Sequence, residues 1–142
     1  MKFLFASDSF KGTLSSDKTA QLLTKAATQV FQQCECTSVP VADGGEGTVD
    51  AVLLATGGSR VLVEVHDPLM RKIRASYGRI DENSAIIEMA AASGLPLLKE
   101  AERNPAKTTT YGTGELIAAA LKEGCKNITI AIGGSATNDG GM

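Results

Sequence analysis

The sequence runs to 142 residues, the size of one ordinary domain or of a portion of a larger protein. Apolar residues make up 43% and charged residues 21%, a globular balance, while aromatics at 4% with no tryptophan leave the core to aliphatic side chains. The net charge of -2 argues against nucleic acid as a partner, since binding a phosphate backbone calls for a basic surface. No run reaches the roughly 18 apolar residues of a membrane span, and the N-terminus turns polar at Ser7-Asp8-Ser9, too early for a secretory signal. The expectation is a cytoplasmic protein with neither a membrane nor a nucleic-acid partner.

The first predicted element is a short buried strand from Lys2 to Ser7, which runs into a polar loop from Asp8 to Gly12. Ser15 or Ser16 can cap a helix with Asp17 in its first turn. Leu23, Ala26, Ala27, Val30 and Phe31 then follow the i, i+3, i+4, i+7, i+8 spacing of one buried stripe. Cys34-Glu35-Cys36 is a C-x-C in which neighbouring side chains alternate across a strand. With three cysteines in all and His66 the only histidine, a zinc set lacks ligands, and the cysteines read as ordinary reduced thiols. Thr37 to Ala42 is a second predicted strand. It ends in Asp43-Gly44-Gly45-Glu46-Gly47-Thr48, from which a helix runs to about Ala55 and is stopped by Gly57-Gly58.

The pattern changes after Ser59. Arg60 to Val65, Lys72 to Gly78 and Ser84 to Met89 read as strands with no room between them for a crossover helix, so this piece is predicted antiparallel. His66, at the end of the first of them, reads as a strand-end residue. Asn104-Pro105 breaks the chain. Leu116, Ile117, Ala120 and Leu121 then mark a helical stripe with Gly124 just past its end, and Asn127 to Ile132 reads as a buried strand that opens into Gly133-Gly134.

The predicted organisation is β-loop-α units over 1–59, a mainly antiparallel segment over 60–105, and an α/β unit over 106–142 ending in a glycine-rich loop. Three polar loops, Asp8 to Gly12, Asp43 to Thr48 and Gly133 to Gly141, follow strand carboxyl ends, where open parallel sheets carry their ligands. If those strands share one parallel sheet, the loops converge on one rim.

Glycine lets backbone N–H groups approach a ligand without a Cβ in the way, and a helix placed behind such a loop adds its dipole. Gly133 to Gly141 has the make-up of a phosphate cradle, with hydroxyls, an amide and a carboxylate among its glycines. Asp43 and Glu46 flank Gly44-Gly45 and suit Mg²⁺ held together with substrate phosphates. Lys11 can meet a phosphate or a carboxylate. Neither common nucleotide fingerprint is present: there is no G-x-x-x-x-G-K-[ST], and Gly112-Thr113-Gly114 has Ile117 where G-x-G-x-x-G needs its third glycine. That absence disfavours a dinucleotide oxidoreductase. An anion-binding α/β enzyme and a non-catalytic small-anion binding module both remain.

Six stretches taken in order say more than any one loop. "SDSFKGTLS" from Ser7, "PVADGGEGT" from Pro40, "DPLMR" from Asp67, "IEMAAASGL" from Ile87, "TTYGTGELI" from Thr109 and "IGGSATNDGG" from Ile132 resemble the bacterial glycerate kinase family of the glycerate 2-kinase type, collinearly over nearly the whole chain. The sequence departs from the family pattern at Ser7, where proline is expected, and at Met70, where glycine is expected.

The resemblance implies a phosphotransferase with an alcohol group as acceptor, moving the γ-phosphoryl group of ATP, with Mg²⁺, to D-glycerate to give 2-phosphoglycerate. It implies a three-layer Rossmann-like parallel sheet with an antiparallel α+β segment, within a longer two-domain kinase. This stretch would be its N-terminal portion, ending inside a functional loop and inactive without the remainder of its own chain; the oligomeric state is left open. Gly133, Gly134, Ser135, Thr137 and Asn138, with Gly112, Thr113 and Gly114, would bind the nucleotide. Asp43 and Glu46 would hold Mg²⁺. Lys11 or Arg71 would neutralise the glycerate carboxylate beside Ser9, and Asp8 or Asp139 would orient or deprotonate the acceptor hydroxyl. Glu88 and the Thr110 to Glu115 loop would serve the acceptor or nucleotide pocket.

Overall fold

The computed structural model describes residues 1–10 and 13–141, which fall into two compact units that divide after Asp43. In the first unit, β1 (Lys2–Phe5) and β2 (Glu35–Ser38) pair in parallel, with Lys2 opposite Glu35 and Phe5 opposite Ser38, and α1 (Ser16–Val30) is the crossover between them. Ser15 caps the helix, its Oγ accepting from the Lys18 N–H at 3.2 Å, and Asp17 lies in the first turn. Both strands are shorter than the sequence suggests. Pro40, which has no N–H to give to a ladder, follows closely on β2.

The helical stripe is only partly realised. Ala27 is buried, but Leu23 is 39% and Val30 72% exposed, and Phe31 lies beyond the helix with its ring 5.1 Å from that of Phe3. A two-stranded sheet offers too small an apolar face to cover a 15-residue helix.

The second unit holds α2 (Thr48–Thr56), β3 (Ser59–His66), β4 (Lys72–Arg79), β5 (Ser84–Glu88), α3 (Ala90–Ser93), 3₁₀ turns at Leu95–Leu97 and Glu100–Glu102, α4 (Tyr111–Lys122) and β6 (Asn127–Ala131). Its sheet has the order β3-β4-β5-β6. The first three strands are antiparallel, as expected, and β6 joins β5 in parallel after the α4 crossover. The antiparallel segment and the terminal α/β unit therefore share one sheet. The core between this sheet and α4 is built from Val65, Ala75, Tyr77, Ile87, Leu116 and Ala120 among others.

α2 ends where expected: Gly57 takes a left-handed conformation at φ 72° and returns its N–H to the Leu53 carbonyl at 2.9 Å. The β3–β4 turn is set by Asp67, whose buried carboxylate accepts from the Leu69 and Arg71 N–H groups at 2.8 and 2.9 Å and from Arg71 Nε at 2.5 Å. Met70 closes that turn at φ 64°, a left-handed conformation in which glycine is at ease and a side chain is strained.

Two expectations need correction. β6 is an edge strand, with only Ala131 buried and with Ile130 and, just beyond it, Ile132 40% and 70% exposed, because a strand paired on one side has neighbours on one side only. On α4, Leu116 and Ala120 are buried while Leu121 is 54% exposed, since the face toward the core is narrower than the apolar stripe. Within the first unit β1 and β2 form a two-stranded parallel sheet, and within the second β6 adds a parallel edge to β5. No helix among the described residues is long and apolar enough to cross a membrane.

Candidate active site

Two glycine loops of the second unit meet backbone to backbone. The Gly133 N–H donates to the Gly44 carbonyl at 2.9 Å, and a Cβ on Gly133 would lie 2.6 Å from the Cα of Gly45. Only glycine permits this approach. The 44–48 loop is then tied into α2, with Thr48 Oγ1 donating to the Gly45 carbonyl at 2.8 Å. Gly47 gives α2 no side-chain cap, so Glu88 supplies one from the end of β5, its Oε1 accepting from the Val49 N–H at 2.6 Å. Burial pushes the Glu88 carboxyl above the usual range, against the pull of the Val49 N–H.

The terminal loop is held on several sides. Its Gly134 carbonyl accepts from the Leu95 N–H at 3.0 Å, and its Ala136 N–H donates to the Ser93 carbonyl at 2.9 Å. Thr108 Oγ1 donates to the Ala136 carbonyl at 2.8 Å, and Thr137 Oγ1 returns a bond to the Thr108 carbonyl at 2.7 Å. Asp139 reaches the start of α4, accepting from the Thr110 N–H at 2.6 Å, from Thr110 Oγ1 at 3.1 Å and from the Gly141 N–H at 3.0 Å. Burial works against ionisation there, but the donors from Thr110, Gly141 and Thr109 outweigh it and hold the carboxyl below its usual range.

The loop and the first turns of α4 face each other across a cleft of about 790 Å³. One part of the wall is apolar, from Ile117, Ala118, Ile130 and Ile132; the rest is polar, from Thr109, Thr110, Thr113, Ser135, Thr137, Asn138 and Asp139. Gly112 packs the helix start onto β3 so closely that a Cβ would stand 1.8 Å from the His66 carbonyl oxygen, whereas the Cβ position of Gly114 is open. His66 Nδ1 lies 3.0 Å from Glu115 Oε1, and Glu115 Oε2 also accepts the His66 backbone N–H at 2.7 Å, so the strand-end histidine is bound to a residue of the cleft wall.

The structure thus brings Thr113, Gly114, Ser135, Thr137, Asn138 and Asp139 around one cleft. Gly112, Gly133 and Gly134 shape its backbone without lining it. Glu46 is exposed on the 44–48 loop, and Asp43 is exposed at the end of the first unit. Arg71 is engaged by Asp67, by Glu102 Oε1 at 2.9 Å and by the Leu97 carbonyl at 3.3 Å. In the first unit Asp8 and Ser9 are half-buried, and Asp8 Oδ1 accepts the Ser9 N–H at 2.7 Å. Lys11 lies outside the described residues. Sequence reasoning missed Thr108, Thr109 and Ser93, the last fully buried with its hydroxyl 2.7 Å from that of Thr113. The run of three threonines directly before a helix start was the available signal for the first two.

Comparison with known proteins places the chain in a family. The sequence model described as the glycerate kinase family matches residues 3–142. Glycerate 2-kinase of Escherichia coli (strain K12) is 51% identical over 142 residues, covering 99% of this chain and 37% of that protein. Glycerate kinase of Bacillus subtilis (strain 168) is 49% identical, with the same coverage. A crystal structure from Salmonella typhimurium LT2 assigned as glycerate kinase 2 superposes with a TM-score of 0.74 at 48% identity, covering 99% of this chain and 38% of that one. The chain therefore spans a little over a third of the length of these relatives, and with the family model matching nearly all of it, it belongs to the glycerate kinase family.

Proposed function

We propose that this chain carries the nucleotide-binding part of an ATP-dependent glycerate kinase, which transfers the γ-phosphoryl group of ATP to the 2-hydroxyl of D-glycerate. The observation that supports this best is the cleft itself: it combines an apolar stretch of wall with a glycine loop rich in N–H and hydroxyl donors that faces the start of a 12-residue helix. In this reading Thr113, Gly114, Ser135, Thr137 and Asn138 contact the nucleotide, while Gly112, Gly133 and Gly134 keep the backbone close enough to do so.

Phosphoryl transfer asks a protein mainly to position groups and offset charge. The acceptor oxygen bonds to phosphorus as the bond to the ADP oxygen breaks, and the hydroxyl proton passes to a carboxylate. Asp139, already holding donors from Thr110, Gly141 and Thr109 and kept ionised, suits orienting a group better than accepting a proton. Asp8 is left as the proposed proton acceptor, with Ser9 beside it. Of the two cations, Lys11 is proposed for the glycerate carboxylate, because Arg71 is already offset by Asp67 and Glu102.

Among the described residues no three acidic, histidine or cysteine side chains gather as a metal site. Mg²⁺ is nonetheless compatible with the chain, since it commonly takes one or two carboxylates and fills its shell with phosphate and water oxygens. Asp43 and Glu46 are proposed for it, and the ion would offset phosphate charge. A three-layer Rossmann-like arrangement within a two-domain kinase, and a cytoplasmic setting, belong to the same proposal; the parallel pairs β1–β2 and β5–β6 are consistent with that arrangement.

A coupled ADP-release assay tests the reading, run on the chain joined to the remaining length found in its relatives, with D-glycerate against L-glycerate, glycerol and lactate. D-glycerate-dependent, Mg²⁺-dependent ADP release is expected. Binding of glycerate or phosphate indifferent to Mg²⁺, with no ADP release, would instead indicate a non-catalytic anion module.

A further inference from the structure

Cys34 and Cys36, in the first unit, have their sulfur atoms 3.8 Å apart. Residues two apart on a regular strand share a face but stand about 6.5 Å from each other, beyond the roughly 3.5–4.5 Å between Cβ atoms that a disulfide needs. The local backbone removes that obstacle. Gln33 turns the chain through a left-handed conformation at φ 60°, and β2 begins only at Glu35, so Cys34 precedes the strand and its sulfur folds back over that of Cys36. Both are free and half-buried, within reach of small reagents, whereas Cys125 is free but buried in the core of the other unit. The pair has no third ligand for a tetrahedral metal among the described residues.

We propose that Cys34 and Cys36 form a dithiol modification site that trivalent arsenicals bridge and that hydroperoxides close to a disulfide. In the oxidation, the Cys34 thiolate attacks one peroxide oxygen and the O–O bond breaks, leaving Cys34 as a sulfenic acid while the departing oxygen takes a proton to leave as an alcohol, or as water from hydrogen peroxide. The Cys36 sulfur then attacks the Cys34 sulfur, the S–O bond breaks, and hydroxide leaves with the Cys36 proton as water. Two thiols are oxidised by two electrons in total, and the peroxide is reduced by the same two. Burial and the contact with Cys34 push the Cys36 thiol up, which favours Cys34 as the first nucleophile.

The test treats the reduced chain with one equivalent of hydrogen peroxide, blocks remaining thiols with N-ethylmaleimide after unfolding, and reads intact and peptide masses. The expected product has lost two hydrogens, carries one maleimide, on Cys125, holds residues 34 and 36 in one internally linked peptide, and is restored by dithiothreitol. Cys34→Ser and Cys36→Ser should each abolish it. As a measurement that needs no variant, one equivalent of phenylarsine oxide should remove two titratable thiols from the wild-type chain, two As–S bonds replacing the bonding of arsenic to oxygen, which leaves with both thiol protons as water. The proposal is overturned if both thiols remain alkylatable after peroxide, if oxidation stops at sulfinic acid on one cysteine, if the disulfide is intermolecular, or if the arsenical protects neither thiol.

Discussion

Gly114→Ala separates the two jobs that the start of α4 is asked to do. Gly114 is the fourth residue of the helix, is exposed, and a Cβ built on it meets nothing within 4 Å. Alanine there should favour the helix by about 0.5–1 kcal/mol, raising Tm by about 2–4 °C for a domain of this size. The new methyl group would, however, enter the cleft that Gly114 lines. If a nucleotide lies against that backbone, forcing a methyl into the contact should cost about 1–3 kcal/mol, a Kd weaker by about 5- to 150-fold. Gly112→Ala is the contrast. Its Cβ would fall 1.8 Å from a backbone oxygen of His66, which cannot step aside, so that variant should lose stability. Thermal unfolding followed by circular dichroism and calorimetric titration with ATP and Mg²⁺ read both quantities. A Gly114→Ala protein that is more stable and binds ATP unchanged would remove the nucleotide from this cleft. One destabilised as severely as Gly112→Ala would refute the description of the helix start.

Met70→Gly should stabilise the protein by about 0.5–1 kcal/mol in urea unfolding, since relief of a left-handed side chain worth about 1–2 kcal/mol exceeds the entropy that glycine loses, about 0.5–1 kcal/mol; a loss of stability would show that the side chain packs usefully. Gly133→Ala should cost about 2–4 kcal/mol by the same method, from one backbone hydrogen bond and a forced separation of two backbones, and an unchanged midpoint would mean the loops are not in contact. Glu88 has a raised carboxyl pKa in the folded state, so its contribution to stability is fully present below the unfolded value near 4.3 and is lost as pH rises through the folded value. Glu88→Gln, whose Oε1 can still accept from the Val49 N–H, should therefore gain stability relative to wild type between pH 4 and pH 7; a Tm difference constant over that range would contradict the assignment.

Elements set by local chemistry were legible in the sequence. Ser15 as a cap, Gly57 as a stop and Gly124 past α4 depend on neighbours within a few residues, and the three antiparallel strands on the short turns that join them. Pairings set by the whole chain were not. That β6 would join β5 in parallel rests on tertiary partners that periodicity does not record. The exposure of Val30 and Ile132 follows from the same gap, because an apolar stripe shows which face prefers to be covered and not what covers it. Within the candidate site, the glycines and hydroxyls of the 133–141 loop were legible as a composition. The engagement of Arg71 by Asp67 and Glu102 was hidden, since Glu102 lies 31 residues further along and nothing local links them. Met70 shows the opposite case: the family pattern leads one to expect glycine, and the backbone there has the φ that glycine favours.

The central claim is that the cleft between α4 and the terminal glycine loop takes the nucleotide. The most direct test is an amide ¹H–¹⁵N titration of the labelled chain with ATP and Mg²⁺. The account predicts saturable shifts concentrated at Thr113, Gly114 and Glu115 and across 135–141, weakened when Mg²⁺ is removed. Saturable shifts confined to other segments, with these amides unmoved, would contradict it.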